Sequence, residues 1–215
     1  MEYPWTANLA YAIGLITTDG SLSKDRRHID LTSKDMEQID NFKSCLNLKN
    51  KIGIKKSKRE TNAFRVQFGD VNFYNFLLSI GLYPNKTSTL CDLKIPSKYF
   101  FDFLRGHFDG DGTFYSYYDK RWKSSFMFYT TLISASQEHI LWLRKEIRKL
   151  LNINGHITKS QNSSVYQLKF AKVESLQLLP KMYYNKHVIC LNRKRIKIEK
   201  ALKSADVAKL ETALP

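Results

Sequence analysis

The stretch Ala12-Ile13-Gly14-Leu15-Ile16-Thr17-Thr18-Asp19-Gly20 decides the reading, because the chain writes it a second time as Leu104-Arg105-Gly106-His107-Phe108-Asp109-Gly110-Asp111-Gly112. Pro4, Gly14 and Asp19 return as Pro96, Gly106 and Asp111 at a constant offset of 92 (96 − 4, 106 − 14, 111 − 19). Each copy is an apolar helical run that ends in Asp-Gly, with the glycine expected as the left-handed residue that closes the helix. A carboxylate at the negative end of a helix is disfavoured by roughly 0.3–1 kcal/mol. Its recurrence at one place in a repeat implies a compensating cation. Gly14 and Gly106, five residues before each aspartate, cost about 1 kcal/mol relative to alanine inside a helix. Two such helices packed backbone to backbone would offset that cost and bring Asp19 and Asp111 together.

Further pairs extend the repeat outward. Leu31-Thr32-Ser33-Lys34 opens a helical pattern through Ile39, Phe42 and Leu46, and Leu132-Ile133-Ser134-Ala135 opens one through Ile140, Leu143 and Ile147. The alternation Phe64-Arg65-Val66-Gln67-Phe68 matches Tyr166-Gln167-Leu168-Lys169-Phe170, as half-buried strands do. Asn85-Lys86 and Asn185-Lys186 follow. Each half reads helix, two strands, helix, two strands, helix. The class is therefore α+β: two pseudo-symmetric αββαββα repeats whose antiparallel sheets leave one face open. The expected units are 1–94, 95–203 and a weakly anchored tail, 204–215. Near the seam, Pro96 ends one element and Ser97 is placed to cap the next helix.

Composition narrows the function. The formal charge of +15 in 215 residues, with pI about 9.7, points to a polyanionic partner. No apolar run reaches the length of a spanning helix and the N-terminus lacks signal-peptide order, so the chain reads as intracellular, in a bacterial cytoplasm or a eukaryotic organelle. Cys45, Cys91 and Cys190 are an odd number without a CxxC pair, against a zinc site or a disulfide framework. His28, His107, His139, His156 and His187 show neither His-Asn-His nor zinc-ligand spacing.

The duplicated stretch resembles the two motifs that name the LAGLIDADG family, and the resemblance runs from about Pro4 to about Lys200. Membership implies a saddle with the motif helices at the interface between halves, a concave sheet lying on the DNA major groove, and cleavage of both strands by a functional monomer. It implies magnesium, with manganese as a substitute and calcium supporting binding without cleavage. Carried over by position, the catalytic, metal-binding carboxylates are Asp19 and Asp111, and the carbonyls of Thr18 and Gly110 are further metal ligands. The basic residues near each scissile phosphate are Lys86 and Lys186. Ser33 and Ser134 hold the position of a water-organising side chain, which helix capping explains equally well. The earlier acidic position of the motif is Thr17 in one copy and Asp109 in the other, so that carboxylate is not required at both sites. Arg105 and His107 replace apolar residues; His107 is expected to face solvent, Asp109 or the sheet edge.

The expected DNA contacts follow from basic and polar side chains on the hairpins. In the first half they are Ser23, Lys24, Arg26, His28, Asp30, Lys55, Lys56, Arg59, Arg65 and Gln67, with Lys51 and Lys58 near them. In the second they are Tyr115, Tyr117, Arg121, Lys123, Tyr129, Thr131, Lys159, Gln167 and Lys169. Because the halves differ, the double-stranded target should be long and only weakly palindromic. Two alternatives stand beside a homing endonuclease: an intron maturase that binds its host intron RNA, and a DNA-binding protein that has lost cleavage.

Overall fold

The computed structural model describes residues 3–56, 62–121, 126–159 and 165–212. The first half runs α1 (Ala7–Asp19), β1 (Gly20–Leu22), β2 (His28–Ser33), α2 (Met36–Leu46), β3 (Ile52–Lys56), β4 (Asn62–Gly69) and α3 (Val71–Ser79). A turn of 3₁₀ helix (Ser97–Tyr99) opens the second half, followed by α4 (Phe100–Asp111), β5 (Thr113–Tyr118), β6 (Phe126–Ser134), α5 (Gln137–Leu151), β7 (His156–Lys159), β8 (Tyr166–Phe170) and α6 (Lys172–Met182). A last helix, α7, spans Asn192–Thr212. Both sheets are antiparallel and share one order, β1-β2-β4-β3 and β5-β6-β8-β7. The α+β class and the αββαββα order of each half are as the repeat predicts.

Local chemistry sets the boundaries. Thr6, Asp35, Asp70 and Ser136 cap α1, α2, α3 and α5, each accepting from a backbone N–H of the first turn. Asn47 and Asn152 close α2 and α5 in the left-handed conformation. Ser97 does not cap: the position equivalent to Thr6 is Lys98, which cannot accept a hydrogen bond, and the second motif helix is entered through the 3₁₀ turn without a side-chain cap. The boundary expected at 203/204 falls inside α7, where Ala205 is fully buried, so this part of the tail is anchored.

The two motif helices form the centre of the molecule. Every residue of α1 from Leu9 to Thr17 is buried, as is every residue of α4 from Asp102 to Asp109, as expected for helices packed on all sides. Outer helices cover one face of each sheet, where Ile29, Leu31, Val66 and Phe42 pack in the first half and Phe128, Leu132, Leu168 and Leu143 in the second. Among the described residues no helix is long and apolar enough to cross a membrane.

Candidate metal centre and nucleic-acid face

The glycines fix how the motif helices meet. A Cβ on Gly14 would lie 2.2 Å from the Phe103 carbonyl oxygen, and one on Gly106 would lie 2.1 Å from that of Tyr11. Only backbone against backbone fits. A Cβ on Gly110 would lie 1.9 Å from Thr18 Oγ1 and 2.9 Å from Asp19 Oδ2. With Tyr11 against Gly106 and Thr18 against Gly110, the helices run parallel and their negative C-terminal ends converge, carrying Asp19 and Asp111.

The closing glycines differ from expectation. Gly20 (φ −85°, ψ 153°) and Gly112 (φ −76°, ψ 157°) are extended, not left-handed, because each helix passes directly into a strand. Glycine is needed there for space: a Cβ would meet the Ile16 carbonyl oxygen at 2.7 Å or that of Phe108 at 2.6 Å.

Asp19 Oδ2 accepts from Gln38 Nε2 at 2.6 Å. Burial raises the Asp19 carboxyl above its usual range, opposed by that hydrogen bond and by the Lys194 and Lys86 charges. Asp111 is exposed at the mouth of the site. Protein packed around its carboxylate, and then the charge of Asp19, still push it up to about 6. A cleft of about 210 Å³ opens beside it, lined by Thr18, Lys86, His107, Asp111 and Ser134 among others.

Two buried ammonium groups face both carboxylates. Lys86 donates to the Gly20 carbonyl. Its expected partner, Lys186, is exposed, and the equivalent place is taken by Lys194, which donates to the carbonyls of Phe108, Asp109 (2.9 Å) and Gly112 (2.7 Å). All three N–H donors of Lys194 are thereby used on the end of α4, so it acts on the site as a charge. Burial lowers Lys86 and Lys194 to about 8, against the opposing pull of the aspartates. The repeated Asn-Lys pair pointed to position 186. The informative signal lay in the spacing Leu191, Lys194, Ile198, Ala201, Ala205, which sets Lys194 on the buried stripe of α7.

Gln38 was also missed. It stands third after the capping Asp35, where it reads as part of a capping box. Ser33, expected as the water-organising residue, donates to Gln38 Oε1 (3.2 Å) and accepts from the Asp35 amide (3.0 Å), so it positions Gln38. Ser134 accepts from the Ser136 amide at 3.1 Å. In the second half His139 replaces Gln38, yet its Nδ1 pairs with the Cys91 carbonyl (3.0 Å) and its ring stacks on His107 at 5.3 Å. His107 is thus buried rather than facing solvent, Asp109 or an edge. Asp109 is fully buried and accepts from Tyr11 Oη and the Leu191 amide, both at 2.8 Å. Arg105, equally buried, holds Met182, Ile189 and Asp102. These departures from the motif tie α4 to its surroundings.

Among the described residues no three His, Cys, Asp or Glu side chains cluster as metal ligands. The donors available are two carboxylates with raised pKa and the carbonyls of Thr18 and Gly110 at converging helix ends. Hard oxygens gathered at a concentration of negative charge fit a divalent cation of the magnesium type.

Strand register assigns the open faces. In the first sheet Ser21, Asp30 and Gln67 share one row, Thr32 and Arg65 the next, and His28 and Lys55 lie on the same face. Asp30 is buried and ion-paired with Arg65 at 3.0 Å, so it orients the arginine. Ser23, Lys24 and Arg26 occupy the β1–β2 turn, and Lys56 pairs with Asn62 at the end of β3. In the second sheet Tyr115, Tyr117, Tyr129, Thr131, Gln167 and Lys169 face the same way. Two expected contacts are displaced. Thr131 is 1% exposed, covered by its neighbours, and Lys159 pairs with Tyr166 on the helix-side parity, leaving the open positions of β7 to His156 and Thr158. Arg121 is exposed in the β5–β6 turn and bonded to Asp119. Lys58, Arg59 and Lys123 lie outside the described residues.

Residues 6–81 match the model of the LAGLIDADG-like domain family. No curated protein sequence matches the chain. Among solved structures, the homing endonuclease I-WcaI bound to its DNA recognition sequence has a TM-score of 0.62 at 15% identity, covering 90% of this chain and 88% of that one. Meganuclease I-SmaMI bound to uncleavable DNA has a TM-score of 0.59 at 13% identity, covering 97% and 92%. The N-terminal LAGLIDADG domain of DUF199/WhiA has a TM-score of 0.55 at 17% identity, covering 83% and 82%. Residues 6–81 thus carry the sequence signature of a LAGLIDADG-like domain, and the second half of the chain repeats the fold of the first.

Proposed function

We propose that the chain is a site-specific, magnesium-dependent DNA endonuclease that works as a monomer and makes a staggered double-strand break in a long, weakly palindromic target. One observation carries the reading: Asp19 and Asp111 meet at the converging negative ends of two helices, with Lys86 and Lys194 buried against them. A divalent ion held there would supply Lewis acidity toward a phosphodiester oxygen and lower the pKa of bound water. Gln38 orients the Asp19 carboxylate, and the Thr18 and Gly110 carbonyls stand beside the two aspartates. Lys86, with one donor on the Gly20 carbonyl, keeps others for a phosphate oxygen whose charge grows in the transition state. Manganese should replace magnesium, and calcium should support binding without cleavage. Two of the solved relatives are described as DNA-bound, which supports duplex DNA as the partner.

The test is cutting of a randomised duplex library by the wild type and by Asp19→Asn and Asp111→Asn. Each substitution should abolish double-strand cleavage while target binding survives. Cleavage retained in either variant, or target binding lost from it, would contradict the assigned roles, and specific binding without cutting by the wild type would identify a cleavage-inactive DNA-binding protein.

A further inference from the structure

The two open faces are chemically unlike. The first carries the charged side chains Asp30, Arg65 and Lys55 beside Gln67 and His28. On the second, Lys169 is the one formally charged side chain among the described strand positions, and Tyr115, Tyr117, Met127, Tyr129 and Ile133 dominate. The three tyrosines form a triangle of nearly parallel rings. Centroids lie 5.2 Å apart for Tyr115 and Tyr129 and 6.4 Å apart for the other two pairs, with interplanar angles of 17° or less. Tyr115 and Tyr117 are each 43% exposed, a large aromatic surface for a strand face with one charge.

The rings turn their faces toward one another. Strand side chains stand roughly perpendicular to the sheet, so ring edges and hydroxyls are what a ligand on this face meets. A platform for an unpaired base needs a free ring face, whereas these rings turn faces toward one another. An apolar edge with a hydroxyl at its tip suits the wall of a duplex major groove. There, thymine is the base that presents a methyl group, next to a carbonyl acceptor that a hydroxyl can reach.

Resting on the DNA-binding reading above, we propose that Tyr115, Tyr117 and Tyr129, flanked by Met127 and Ile133, make the second half a reader of thymine methyl groups, so that the half-site it covers is rich in T·A pairs. The first half, with its charged and amide side chains, reads hydrogen-bonding edges instead.

The experiment selects bound duplexes from a randomised library with the full chain, then resynthesises the preferred duplex with deoxyuridine in place of thymine, one half-site at a time. This removes only methyl groups. Binding should weaken about fourfold for each methyl lost from the second half-site, the scale of one buried methylene, and change little when the first is altered. The triple variant Tyr115→Ser, Tyr117→Ser, Tyr129→Ser identifies the second half-site as the one whose preference relaxes, and it should be indifferent to deoxyuridine there while keeping its first-half preference. Equal affinity of the wild type for thymine and deoxyuridine duplexes overturns the proposal and leaves DNA binding standing. Failure to bind any duplex overturns both.

Discussion

Gly106 sets two physical tendencies against each other. Alanine in its place would gain about 1 kcal/mol of helix propensity, yet its Cβ would sit 2.1 Å from the Tyr11 carbonyl oxygen. Overpacking of backbone against backbone costs typically 1–3 kcal/mol and sometimes more. Gly106→Ala should therefore lower unfolding free energy by about 2 kcal/mol net in urea titrations, at the upper end of that range; a gain near 1 kcal/mol would mean that the helices do not touch there. The two glycines and two aspartates were legible in the sequence because repetition marks a residue that a single copy leaves ambiguous. Lys194 was not legible by repetition. Insertions in the second half move it out of register with Lys86, and the run Arg193-Lys194-Arg195 looks like a solvated surface until the buried stripe of α7 is traced.

The ends of the motif helices depend on groups from elsewhere in the chain. Lys194→Met would leave the carbonyls of Phe108, Asp109 and Gly112 without their donor, at about 1–3 kcal/mol for such a loss. Lys186→Met, on the surface, should stay within about 0.5 kcal/mol. Thermal unfolding of the pair separates the two lysines, and equal behaviour would mean that Lys194 does not hold the end of α4. The stacked His107 and His139 pair on α4 and α5 sets a pH dependence. Burial holds His139 down to about 4 and His107 well below its usual value of 6.5. The folded state then binds fewer protons than the unfolded one between about pH 6.5 and 4, so stability falls as pH is lowered through that window, by about 2 kcal/mol from pH 7 to 5 for one group so shifted. The repeat itself suggests the control: His107→Leu with His139→Gln, the residues of the first copy at Leu15 and Gln38, should flatten the slope. An unchanged slope would place the acid sensitivity elsewhere. The extended form of Gly20 and Gly112 was hidden from the sequence at this scale, because Asp-Gly reads the same whether a helix stops in a left-handed turn or passes directly into a strand.

Across the whole molecule, the order of elements and the duplicated sheets were legible because apolar periodicity switches between helix and strand at matching places in the two halves. Which polar strand residues face outward depended on register, and a one-residue difference moved Lys159 to the other parity. The +15 charge predicts that duplex binding weakens by about 0.9 log units per log unit of salt for each phosphate neutralised. Fluorescence anisotropy over a salt series checks this, and a flat titration contradicts it. A cation-dependent cutting site where the two motif helices converge is probed most directly by a cleavage-site selection from a random duplex library in magnesium and, in parallel, in calcium. One recurring site should be cut on both strands in magnesium and bound but left intact in calcium. A library left whole in both ions, or cut equally without divalent metal, would contradict it.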